Sequence, residues 1–81
     1  MADTMDRVKK VVVELLKIDT AMIQASSRFV EDLGADSMQS IELVAAFEEE
    51  FDIEMDEDAA LAVKNVADAV KFIDEVIAQQ H

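Results

Sequence analysis

The sequence predicts an all-α fold: a small four-helix bundle, three helices longer and one short, with a long loop between helices one and two. Three observations carry that expectation. Apolar residues recur at helical spacing in separate segments. Helix-capping side chains stand just before those segments. The chain has no proline and one glycine, and its wealth of alanine, valine, glutamate and aspartate suits helices joined by polar turns.

Helix one is expected over residues 4–17. Met5, Val8, Val12, Leu15 and Leu16 form one apolar stripe, and Asp3 or Thr4 caps its start. Residues 18–35, "IDTAMIQASSRFVEDLGA", read as a long loop that can hold a short helical turn. Ile18, Met22, Ile23, Phe29, Val30 and Leu33 are expected to anchor it inward. A loop this long in a small domain is usually functional. Helix two runs from Ser37 to about Phe51, with Asp36 as N-cap and Gln39 as capping-box partner. Asp56 caps a short third helix reaching about Val63. Asn65 and Asp68 form another capping pair, opening helix four over 66 to about 78. Its core stripe is Val66, Ala69, Val70, Ile73, Val76 and Ile77.

At 81 residues the chain is expected to be a single domain, 1–81, with a modest core. Its hydrophobic fraction of 52% separates it from a disordered acidic tail. The absence of cysteine removes disulfides and thiolate metal sites and suits a reducing compartment. The N-terminal segment mixes charges into its apolar run, unlike a signal peptide, and no stretch reaches the length of a membrane span. A cytoplasmic monomer is the expectation.

Net charge is −12, which disfavours nucleic acid as a partner, since phosphate is repelled. The charge is uneven. Residues 29–63 hold twelve acids (Glu31, Asp32, Asp36, Glu42, Glu48, Glu49, Glu50, Asp52, Glu54, Asp56, Glu57 and Asp58) and no lysine or arginine. A solvated acidic face is one reading; a surface that steers toward basic partners is the sharper one. A calcium loop starting at Asp52 fails. Its sixth position is Glu57 where glycine is needed, and its twelfth is Val63 where glutamate is needed. No metal ligand set is expected, only diffuse cation attraction.

Helix two carries two apolar faces. At about 100° per residue, Leu43, Val44, Phe47 and Phe51 fall on one stripe, sufficient to face a core. Met38, Ile41 and Ala45 fall on another. Ser37 lies between them, and Glu42, Glu48 and Glu49 ring the second face. An apolar centre with a polar rim is the make-up of a docking site; the plainer alternative is a wide core contact.

Ser37 is a poor nucleophile. It has no G-x-S-x-G elbow around it, and the only imidazole is His81 at the C-terminus. No catalytic residue is expected. Two readings remain: an idle first residue of a helix, or a substrate for another enzyme. The second suits a phosphate, because a helix N-terminus offers free N–H groups and a favourable dipole. Gly34 supplies a turn before it that other residues resist.

"FVEDLGADSM", Phe29 to Met38, followed by "IELVAAFEEEFDIEM", resembles the acyl carrier proteins. The resemblance runs from "DRVKKVVVELL" to "NVADAVKFIDEVI", nearly the whole chain. It implies a non-enzymatic carrier of acyl intermediates in fatty-acid or related lipid or polyketide synthesis. It further implies that Ser37 is joined by a phosphodiester to 4′-phosphopantetheine, transferred from coenzyme A by a phosphopantetheinyl transferase. The missing thiol then comes from that arm. By the same resemblance, Asp36 serves transferase recognition as well as capping. Met38, Ile41, Glu42, Ala45, Glu48 and Glu49 match the face recognised by basic patches on synthase and acyl-transferring enzymes, and the core between helices two and three shelters the acyl chain. Three departures point to a specialised member. Met38 replaces the usual leucine, Asp56 stands where proline is common, and "AALAVK", residues 59–64, is unusually apolar. Leu61 is accordingly expected to be part-exposed, adding to the docking patch or the pocket mouth. The alternatives are a carrier of aminoacyl or polyketide units, and a non-carrier acidic helical adaptor.

Overall fold

The computed structural model describes residues 3–80; His81 lies outside them. Four α-helices follow in order: α1 Thr4–Leu16, α2 Ser37–Phe51, α3 Glu57–Ala62 and α4 Val66–Gln80. The expected all-α bundle, three longer helices and one short, is therefore present.

Local chemistry sets the helix ends. Asp3 accepts the Asp6 amide at 2.9 Å and starts α1. Lys17, expected as the last helical residue, instead takes a left-handed conformation at φ 57° and sends its N–H to Val13 C=O at 2.9 Å. That turn closes the helix and satisfies an orphan carbonyl. α1 buries Val8, Val11 and Val12, while Met5, Leu15 and Leu16 are half-buried. Val11 extends the stripe beyond the residues expected. α4 runs two residues further than expected, and α3 stops one residue short, at Ala62.

The long loop does contain its helical turn, a 3-10 segment at Thr20–Met22 capped by Asp19. Ile23, Phe29 and Leu33 are buried, and Ile18 packs against the core. Met22 and Val30 do not anchor inward; they are 58% and 53% exposed. The single 3-10 turn buries none of its residues. Around Val30 the chain closes on itself: Arg28 C=O accepts from the Asp32 and Leu33 amides, and Gly34 N–H reaches Val30 C=O. That closure turns Phe29 and Leu33 inward and leaves Val30 on the outer side. Gly34 sits at φ +78°, with nothing within 4 Å of where a Cβ would stand. The backbone conformation, rather than space, is what calls for glycine there.

The same loop caps α4. Val66 N–H donates to Ser27 C=O and Ala67 N–H to Ala25 C=O, while Asn65 takes the amides of Asp68 and Ala69 through its side chain and its carbonyl. All four N-terminal amides of α4 are thereby satisfied. In return Phe29 N–H donates to Lys64 C=O at 3.0 Å. Backbone bonds thus stitch loop and α4 together. Val8, Val12, Val66 and Ile73 are the most completely buried large side chains, so the core lies between α1 and α4 and is closed by α2.

The acidic segment is less bare in space than in sequence. Arg7 Nε pairs with Glu50 at 2.9 Å, and Arg7 also donates to Glu50 C=O at the end of α2 and covers the Phe51 ring at 4.3 Å. Lys10 approaches Glu50 as well. Arg28 pairs with Asp32 at 3.1 Å and with Glu31 at 3.6 Å. Its hydrogen bond to Asp32 is the main reason the Asp32 carboxyl is held below the usual carboxylate range. The bases that meet these acids come from outside residues 29–63.

Candidate functional site

Ser37 is the first residue of α2 and is exposed. The capping box in front of it is complete. Asp36 accepts the Gln39 amide at 2.8 Å, and the Gln39 side chain accepts the Asp36 amide at 3.1 Å. Ser40 closes the turn, its amide and hydroxyl both donating to Asp36 C=O. These bonds occupy the third and fourth amides of the helix start. Among the described residues, the amides of Ser37 and Met38 have no partner. The result is a hydroxyl on a rigid helix start with two free donors beside it, which suits a bound phosphate oxygen. Among the described residues there is no imidazole to deprotonate the serine.

α2 divides its faces as expected. Leu43, Val44, Phe47 and Phe51 are buried; Met38 is 69% and Ile41 45% exposed, and Ala45, Glu42 and Glu49 are exposed with them. One helix therefore carries core on one side and an exposed apolar strip with acids on the other. Glu48 departs from this picture. It is half-buried, and its carboxylate accepts the Met55 amide at 3.0 Å. It faces the chain as much as the solvent.

Behind Ser37 a cleft of about 110 Å³ opens between α2, α3, α4 and the long loop. Phe29, Phe47 and Phe72 line it, with Leu43, Val63 and Ile73. The polar groups at its wall are Ser40, Glu31 and Lys64, and the Ser40 hydroxyl donates to Asp36 C=O. Such a cavity accepts an apolar chain and gives a polar one little to bond to. Leu61 is half-buried and lines this cleft, as do Met55 and Ala60. Its expected part-exposure is what the structure shows.

Sequence reasoning missed several cleft residues. Phe72 was legible: it stands three residues after Ala69 and widens the apolar stripe of α4. Val30, Glu31 and Lys64 reach the cleft only because the loop folds back on the start of α4, which no local periodicity reveals.

Comparison with known proteins agrees with the sequence resemblance. Residues 6–73 match the family described as a phosphopantetheine attachment site. The chain is 52% identical over 75 residues to an acyl carrier protein of Phenylobacterium zucineum (strain HLK1), covering 93% of this chain and 95% of that one. Its fold is similar to the solution structure of the 3,7-dioxo-octyl actinorhodin acyl carrier protein of Streptomyces coelicolor. The TM-score is 0.78 at 24% identity, over 98% of this chain and 94% of the other.

Proposed function

This chain belongs to the acyl carrier protein family, and from that premise we propose that Ser37 is the residue that bears its 4′-phosphopantetheine arm. Members of this family are carriers rather than enzymes, and the arm supplies the thiol on which acyl groups ride as thioesters. This chain has no cysteine of its own. The observation that carries the assignment is the exposed Ser37 at the capped start of α2, beside two amides that have no partner among the described residues.

In the transfer, the Ser37 oxygen forms a bond to the phosphorus of coenzyme A that carries the pantetheine. The bond from that phosphorus to the nucleotide half breaks, adenosine 3′,5′-bisphosphate leaves, and the serine proton passes to the transferase or water. Asp36 holds the helix start so that the hydroxyl points outward, and takes part in recognition by the transferase. Met38, Ile41, Glu42, Ala45 and Glu49 form the face that basic patches on acyl-transferring and synthase enzymes dock to. Leu61 borders that face and the cleft mouth. The cleft shelters the proximal carbons of the cargo, and its apolar lining favours reduced, fatty-acid-like chains over oxygenated polyketide or aminoacyl units. The chain acts as one carrier domain, as a monomer, in the cytoplasm.

The test is incubation with a phosphopantetheinyl transferase and coenzyme A, read by intact mass and peptide mapping. One phosphopantetheine on Ser37 is expected, and Ser37→Ala should fold and remain unmodified. Label on Ser26, Ser27 or Ser40 overturns the assignment, and no mass gain on the parent favours the acidic adaptor.

A further inference from the structure

α3 cannot hold itself in place. It has six residues, none fully buried and three half-buried (Ala59, Ala60 and Leu61), and a helix this short is not stable alone. Beside its packing on α2, its position depends on the link that precedes it, residues 52–55. Every amide of that link is bonded. Asp52 and Ile53 donate to Glu48 C=O, Glu54 donates to the Gln80 side chain at 2.9 Å, and Met55 donates to the Glu48 carboxylate at 3.0 Å. Gln80 returns a bond to Glu54 C=O. Of these anchors, Glu48 is the one that holds Met55, and Met55 lines the cleft beneath α3.

We propose that Glu48 is a positioning residue of the cleft: its carboxylate fixes Met55 and, through it, the α3 wall that shelters the cargo. This reassigns Glu48 from the partner face to the interior side of α2. The cargo role rests on the carrier reading above; the hold on Met55 does not. The acceptor must be long enough to reach the Met55 amide but need not be charged. Glutamine therefore substitutes, whereas aspartate, one methylene shorter, falls short with its charge intact. A residue acting only through surface charge shows the opposite order.

The experiment has two readouts. The first is amide hydrogen exchange at Met55 in the unmodified protein. Glu48→Ala and Glu48→Asp should each exchange about tenfold faster than the parent, the worth of one hydrogen bond to a charged acceptor. Glu48→Gln should stay within about threefold of the parent, since it retains a neutral hydrogen bond. Glu75→Ala, an exposed charge change on α4, should leave Met55 unchanged. The second readout is cleavage of an octanoyl thioester on the loaded protein by hydroxylamine, expected several-fold faster in the alanine and aspartate variants and near parental in the glutamine variant. Unchanged Met55 exchange in Glu48→Asp, or Glu48→Gln behaving like alanine, overturns the proposal. So does faster Met55 exchange with no change in thioester cleavage. If Glu48→Ala does not fold, the aspartate and glutamine pair decides alone. A parent that no transferase loads overturns the carrier reading and the cargo role together, and the Met55 exchange order still tells whether Glu48 holds the link.

Discussion

α1 and α3 are held by different forces. α1 buries Val8, Val11 and Val12, two of them completely. α3 has no fully buried residue, only the half-buried Ala59, Ala60 and Leu61, and leans on hydrogen bonds at its approach and on its Asp56 cap. Burial is cooperative and spread over many contacts, so α1 can come away only when the whole domain unfolds. A few polar bonds can open by themselves. The α3 side of the cleft is therefore held largely by polar bonds, while its α2 and α4 sides belong to the packed core.

The comparison breaks most plainly at α1. Val12→Ala should cost about 2–3 kcal/mol, because it deletes buried methyls with little room for collapse. Thermal melting should fall by about 10–20 °C in a domain of this size, and exchange should rise at amides throughout the chain. A loss confined to α1 would show that the domain does not unfold as one unit.

Arg7→Ala should come next, at about 1–2 kcal/mol, from the lost charged hydrogen bonds and the contact with the Phe51 ring. Glu50 is left half-buried without its guanidinium. Denaturant unfolding measures it, and the loss should shrink in Arg7→Lys only in part, since an ammonium cannot span the Glu50 carboxylate and carbonyl together. A loss of nothing would reduce Arg7 to a solvated charge.

Lys17→Gly should stabilise the protein by about 0.5–1 kcal/mol, since Lys17 holds the left-handed cap conformation that glycine adopts freely. The gain should appear as a higher melting temperature with exchange at Met55 unaltered. That outcome sharpens the contrast, because it strengthens the packed side alone.

Leu61→Glu should change the melting temperature least, by less than about 0.5 kcal/mol in equivalent stability, since Leu61 is half-exposed. Its effect should fall on cargo sheltering or partner acceptance. Global unfolding would make Leu61 core, and parental behaviour with every partner would leave α3 without a role in specificity.

Acidification probes the loop rather than either helix. Asp32 is held below the ordinary carboxylate range by Arg28, so the stability it contributes is present above that range and is lost as pH falls through its lowered pKa. Both groups are exposed, so the effect is small. A carboxyl-carbon titration should show Asp32 titrating below the usual carboxylate range, and Arg28→Ala should raise it.

Much of this was legible in the residues because it is local. Asp36, Ser37 and Gln39 lie within one turn, so spacing alone shows a capping box and a serine at its head. The Leu43, Val44, Phe47 and Phe51 stripe follows from helical geometry. The exposed strip of Met38, Ile41 and Ala45 followed from the same arithmetic, since one helix cannot bury two separated faces in a domain this small. Val30 and Met22 were misjudged because hydrophobicity tells that a residue prefers burial, not that a loop can deliver it there.

By itself the sequence determined the helices, their starting caps, the core stripes and the resemblance that singles out Ser37. All of these depend on residues a few positions apart. Tertiary structure alone decided which bases meet the acidic segment, where the cleft opens, and that Glu48 turns from solvent to Met55. Arg7 and Glu50 are 43 positions apart, and the Glu48 bond crosses the end of a helix and a left-handed turn at Asp52. Contacts of that kind are fixed by the path of the folded backbone, because the same side chains, given another path, would be satisfied by water.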